Sequence, residues 1–267
     1  MVSLKDCRFA LPWALPLAVG LAAWRSPGAA AAVMFGIQVV LALIERATPH
    51  WHSPAAERVS RPWFAWCLRV HVLWQAALLA LGVLLAQDAA WPAVVALGLA
   101  VGGICGSQGI TFAHELGHSK SRADRFCAWL LMSSVLYAHF MVEHYRGHHP
   151  RAATHDDPAS ARCGESLWRF LPRTLAGSLA SAWRLEAQHS RQRRRGWQRS
   201  ALLWATLAQA TGLLLIGLTV GPTALLFWLV QAVYAVFLLE AINYIEHYGL
   251  VRNKREAFAV HHAWNAD

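Results

Sequence analysis

Six long apolar runs constrain this chain more than any other feature of its 267 residues. Spanning a bilayer takes about 20 predominantly apolar residues. Runs of roughly that length recur near 11–25, 28–45, 68–87, 91–113, 201–219 and 222–245. Only 15% of the residues are charged, against about 25% in soluble domains. The pattern predicts an all-α integral membrane protein of about six transmembrane helices, forming a single membrane-embedded domain over 1–267. Lys5 and Arg8 ahead of the first run also fit a cleaved signal peptide. A second apolar run follows almost at once, however, and a helical hairpin accounts for both. Short turns separate the paired runs, "RSPGA" at 25–29, "QDAAWP" at 87–92 and "TVGPT" at 219–223, and they carry the Gly or Pro of tight connections.

Charge then orients the bundle. With six spans, 23 of the 24 Lys and Arg residues fall on one side and only Arg25 on the other. By the positive-inside rule both termini and the long segment 114–200 are cytoplasmic. The net charge of +9 therefore faces membrane lipid and calls for no nucleic-acid partner. The run "HSRQRRRGWQRS" (189–200) suits anionic headgroups, with docking of an acidic partner as the sharper alternative. Segment 114–200 mixes apolar stretches such as "FCAWLLMSSVLYAHF" (126–140) with turns, which reads as a histidine-rich helical cap on the cytoplasmic membrane surface. Trp13, Trp24, Trp66 and Trp91 lie near span ends, as interfacial tryptophans do. Gly98, Gly102, Gly103 and Gly106 on the fourth run point to close helix packing. The five cysteines are scattered, with no C-x-x-C pair, which argues against a disulfide framework or a cysteine metal site.

The polar exceptions within this chain are patterned. "HELGHSK" (114–120) sets His114 and His118 one helical turn apart on one face, where both reach one metal. "EHYRGHH" (143–149) repeats that spacing with His144 and His148, and His149 is displaced about 100° around a helix from His148. "NYIEHYGL" (243–250) ends the sixth run and puts His247 at the same boundary. A lone histidine is ordinarily a hydrogen-bonded packing residue; six in three patterned clusters are not. H-E-x-x-H is also the spacing of zinc proteases. A catalytic zinc, however, takes three protein ligands and keeps one position open, so six imidazoles exceed its need. A membrane protease would also need a distal carboxylate, yet the sixth run offers only Glu240 and Glu246, without L-D-G. Imidazole suits iron as well as zinc, copper and nickel, and two adjacent metals would use this many ligands.

These motifs resemble those of the membrane-bound non-haem diiron alkane hydroxylases (alkane 1-monooxygenases), relatives of the membrane fatty-acid desaturases. The resemblance is carried by H-E-L-G-H-x-K at 114–120, E-H-x-x-G-H-H at 143–149, N-Y-x-E-H-Y-G-L at 243–250 and the connecting segment "DDPASARCGESLWRF" (156–170). It spans roughly residues 40 to 267. It implies two iron ions held by His114, His118, His144, His148, His149 and His247. Glu115, Glu143 and Glu246, with His139 as a further candidate, would orient the imidazoles through their other ring nitrogens. It implies hydroxylation of medium or long alkanes at the terminal carbon to primary alcohols, using O2. The electrons come from reduced rubredoxin, itself served by an NAD(P)H-dependent rubredoxin reductase. Burial of an alkane in a lumen between helices is worth about 0.8 kcal/mol per CH2. His50, His52, His155 and His189 are left as surface residues.

That family carries a last histidine box, L-Q-R-H-S-D-H-H, beyond a segment like H-S-W-N. Here "HHAWN" (261–265) looks like that segment, and the sequence stops at Asp267. His261 and His262 fall too early to replace the box. The chain is therefore expected to be C-terminally incomplete. Alone, it should insert in a membrane, bind fewer than two irons and leave octane and hexadecane unreacted. A catalytically incomplete fragment, a membrane metal-binding protein, or a related desaturase or alkyl-group monooxygenase are the alternatives.

Overall fold

In a computed structural model, residues 4–48 and 61–264 are described, and every regular element among them is helical. Six helices are long and apolar enough to cross a membrane: Asp6–Arg25, Pro27–Ala47, Pro62–Ala86, Trp91–His118, Ala201–Val220 and Pro222–His247. They coincide with the six apolar runs, as expected of an all-α integral membrane protein. The first begins as a 3-10 stretch, Leu4–Trp13, which contains Pro12. We label the regular helices α1 (Ala14–Arg25), α2 (Pro27–Ala47), α3 (Arg61–Ala86), α4 (Trp91–His118), α5 (Arg122–Ser134), α6 (Phe140–Glu143), α7 (Leu167–Gln192), α8 (Ala201–Val220) and α9 (Pro222–His247). The fourth span runs past its expected end at 113. His114 and His118 therefore belong to its last turns and not to the segment that follows.

The chain divides into two compact units, 1–131 with 212–235, and 132–211 with 236–267. In the first, α1 and α2 are joined through Ser26, whose hydroxyl accepts from the Ala29 N–H at 3.1 Å while Pro27 opens α2. Ser fills an orphan donor at the helix start, and Pro needs none there. Small residues bring backbones together: a Cβ on Gly102 would lie 2.6 Å from the Gln231 carbonyl oxygen, and one on Gly103 would lie 2.6 Å from the Met34 Cε. Close packing is thus what the glycines of α4 do. Trp24 and Trp91 are exposed at span ends, whereas Trp13 donates to the Cys67 carbonyl at 3.2 Å. All five cysteines are free thiols.

In the second unit, α7 is turned inside out relative to a soluble helix. It buries Thr174, Ser178, Ser181 and Glu186 and exposes Trp168, Leu175 and Leu179. Its buried polar groups are hydrogen-bonded across the unit, so burial is tolerated. The segment between α6 and α7 is irregular but pinned. Arg173 donates to both oxygens of Glu165 at 2.7 Å and to the carbonyls of Pro158 (3.0 Å) and Ser160 (3.1 Å). From the end of α9, the Tyr244 hydroxyl donates to the Glu165 carbonyl at 2.7 Å, and the Gly249 N–H to that of Ala161 at 3.0 Å. Gly249 sits at φ 70°, which glycine adopts without a Cβ penalty. The two motifs that the sequence keeps 80 residues apart are thus one hydrogen-bonded construction.

Candidate metal centre

In the first unit, α4 passes through a π-helical stretch, Cys105–Ile110, and recovers α geometry at Thr111. His114 and His118 follow on regular turns, with their Nε2 atoms 3.2 Å apart. Two nitrogens about 2.1 Å from one ion and at right angles to each other lie about 3 Å apart, so this pair has the spacing of adjacent ligands. Glu115, between them, is exposed. Ser119 ends the helix by donating to Asp124 at 2.6 Å, and Arg69 donates to the other oxygen of that carboxylate at 2.5 Å.

The second unit departs from the expected geometry. His144–His148 forms a π turn, in which hydrogen bonds close five residues apart instead of four. The wider turn brings His149, not His148, over His144: their Nε2 atoms are 3.0 Å apart. His144 and His148 instead stack face to face, with ring centroids 5.3 Å apart. The i, i+4 pairing assumed a 3.6-residue turn throughout, and one extra residue in the turn shifts the partner by one. His148 faces another way. Its Nδ1–H donates to Asp157 at 2.9 Å, and its ring meets that of His247 at 4.9 Å. The Asp157 hydrogen bond fixes the tautomer and leaves Nε2 with its lone pair, the arrangement typical of metal-bound histidines. Burial would lower the pKa of His148, but hydrogen bonding and charge from Asp157 outweigh it and hold the pKa above its ordinary value. His247 is buried, and its Nδ1 has no hydrogen-bond partner among the described residues.

Asp157 escaped the reading of the sequence as an individual residue, although the segment opened by D-D-P was singled out. Ser160 and the Ala159 N–H hold it at 2.6 and 3.2 Å. The acids named from the sequence make the following contacts. Glu143 pairs with Arg151 at 2.5 Å, and Arg151 also reaches the Ser181 hydroxyl at 2.8 Å. Burial raises the Glu143 pKa, against the pull of Ser181 and Arg151. Glu246 offers its backbone carbonyl to the Trp264 N–H at 2.8 Å. His139 packs edge-on against Tyr137 at 4.2 Å; burial pushes its pKa down to about 4, so it is neutral. His155 is exposed and His189 half-buried, while His50 and His52 lie outside the described residues. Glu256, His261 and His262 also gather within 4.8 Å. There the Ala259 N–H donates to Nδ1 of His262 at 2.9 Å, so the proton of that neutral ring sits on Nε2, which faces Glu256 at 3.4 Å.

Residues 89–267 match the fatty acid desaturase family. The chain belongs to that family. Within it, the chain is similar to proteins named alkane 1-monooxygenase. One is alkane 1-monooxygenase 2 of Pseudomonas aeruginosa, 40% identical over 198 residues, which are 70% of this chain and 52% of that one. Another is alkane 1-monooxygenase 1 of the same organism, 40% identical over 197 residues, 70% of this chain and 51% of that one. A third is the alkane 1-monooxygenase of Pseudomonas putida, 36% identical over 188 residues, 68% of this chain and 46% of that one. The chain spans about half the length of the curated relatives it matches. The donor set of this family member fits a metal: its imidazole pairs stand at ligand spacing, and one further imidazole has its tautomer set by a buried carboxylate.

Proposed function

We propose that these residues belong to an oxidoreductase that hydroxylates the terminal carbon of medium or long alkanes to primary alcohols. It would use O2 and electrons from reduced rubredoxin, with an NAD(P)H-dependent reductase upstream. In this reading His114, His118, His144, His148, His149 and His247 hold two non-haem iron ions, near the cytoplasmic face of a bacterial inner membrane. When bound, iron supplies the oxygen activation and the one-electron steps that no side chain here provides. The chain's own residues present imidazole nitrogens, and Asp157 holds the tautomer of one of them, His148. The observation that carries the reading is the pair of Nε2–Nε2 separations, 3.2 Å for His114 and His118 and 3.0 Å for His144 and His149. Two of the three motifs thus present ligands at metal spacing. The named relatives supply the substrate class, and the placement of 23 of 24 basic residues supports the sidedness.

Metal analysis and product analysis test it together. Purified protein should contain iron, and His114→Ala, His148→Ala and His247→Ala should each lower it, while His189→Ala should not. Octane supplied with rubredoxin, reductase and NADH to the whole protein should yield 1-octanol. Full iron in all three variants sinks the ligand assignment, and an alkene in place of the alcohol assigns desaturation.

A further inference from the structure

Among the described residues of the second unit four carboxylates are buried, and they are not equivalent. Glu143 faces Arg151 at 2.5 Å, Glu186 faces Arg146 at 2.8 Å, and Asp157 accepts from the imidazole of His148 at 2.9 Å. Glu240, 2% exposed on α9, is held by neutral donors: the Tyr137 hydroxyl at 2.7 Å, the Thr174 hydroxyl at 3.0 Å and the Asn243 amide at 3.4 Å. Three convergent donors suit an ionised carboxylate, which only accepts. Among the described residues, however, no cationic side chain is paired with it. A buried carboxylate left without a countercharge costs several kcal/mol, so an apolar helix gains nothing from this one by itself. Its position supplies a reason. Glu240 lines a water-sized cavity whose wall also includes His144 and His148.

Imidazoles are neutral ligands, so an ion held by them keeps its full positive charge inside a low-dielectric bundle. We propose that Glu240 is the compensating charge for metal held by the histidines of this unit, with His144 and His148 lining its cavity, acting through space and not as a ligand. The proposal rests on the metal reading above. It explains why a carboxylate lies within an apolar span, and why its partners are donors that steady a charge without neutralising it. Removing that charge should weaken retention of divalent ions. It should also favour the less positive oxidation state of iron, because net charge near a redox metal sets its potential.

The test uses the full chain in lipid nanodiscs, loaded with Fe2+, with Zn2+ as a redox-silent control. Chelator competition gives the affinity, and a redox titration followed by electron paramagnetic resonance gives the potential. Glu240→Gln keeps the shape and removes the charge. It should weaken both ions about tenfold or more and raise the iron potential. Tyr137→Phe removes a donor and keeps the charge, so it should retain metal at a potential no higher than wild type. Unchanged affinity and potential in Glu240→Gln overturn the proposal. If Glu240→Gln does not fold, Tyr137→Phe decides alone: metal lost with that donor would make the network a scaffold and overturn the proposal. A well-folded wild-type chain that binds no metal is a different failure, that of the metal reading itself.

Discussion

The two histidine pairs reach nearly the same nitrogen separation by different backbones. His114 and His118 stand four apart on regular α turns, and any sequence that holds helix there would place them so. His144 and His149 stand five apart and meet only because a π turn lies between them. A π turn is a poor local conformation, so something outside it must hold it. Two ion pairs hold it, Arg146 within the turn with Glu186, and Glu143 with Arg151 on either side of it. The first pair is therefore encoded locally, and the second by tertiary contacts. What the second gains is a freed His148, released from pairing with His144 to face Asp157 and His247.

Changing the register by one residue breaks the comparison most sharply. One alanine inserted between Glu115 and Leu116 rotates His118 by about 100° away from His114. One alanine inserted between Tyr145 and Arg146 sets His144 and His149 six apart, so that a π turn would bring His148 where His149 now stands. Both edits should abolish metal retention by the pair they touch, a loss of 100-fold or more by analogy with lost outer support, which alone costs about 10–100-fold. Retained iron in the variant with alanine inserted after Tyr145 would mean that His148 can serve in place of His149.

A smaller effect separates the pairs by their supporting carboxylates. Asp157→Ala removes the acceptor that sets the His148 tautomer, and metal affinity should fall about 10–100-fold. Glu115→Gln, in the exposed position between the other pair, should leave affinity unchanged. Competition with a calibrated chelator measures both. Equal losses would show that Glu115 supports its neighbours as Asp157 does.

How much of this was legible in the sequence follows from the same distinction. The six spans were readable because membrane burial depends on composition over about 20 residues, which neighbours cannot alter. The His114 and His118 pairing was readable because α periodicity is local. The π turn was not, since nothing in "EHYRGHH" announces a five-residue turn, and the pinning residues Glu186 and Arg151 lie outside or at the edge of the motif. Asp157 sat inside a segment recognised by resemblance, but its task became visible only once His148 had turned toward it. Glu240 was noted as an acid on an apolar run. Its partners Tyr137 and Thr174 come from 103 and 66 residues away, a distance that no spacing argument bridges.

The smallest expected effect concerns the clamps behind each pair, which share one chemistry. Asp124, next to the end of α4, is pushed up by burial, but hydrogen bonds from Arg69 and Ser119 outweigh this and hold its pKa below the ordinary 3.8. Glu165, in the segment that carries Asp157, is held below 4.5 chiefly by the hydrogen bond from Arg173, against a smaller opposing effect of burial. A carboxylate depressed in the folded state binds protons more readily when unfolded, so its stabilisation is present above the unfolded value and is lost as pH falls through the folded one. Both clamps should therefore act fully at pH 7 and fade together below about pH 4. Asp124→Asn and Glu165→Gln should each cost about 1 kcal/mol or less at pH 7, since both arginines remain partly exposed. In each variant the acid-side fall in melting temperature should be shallower than in wild type. Melting curves from pH 7 down to pH 3 in one detergent measure both quantities. If only Glu165→Gln also weakened metal retention, the dependence of the second pair on tertiary support would be isolated from general stability. Equal metal loss from both substitutions would remove that asymmetry and make the two pairs alike in what holds them.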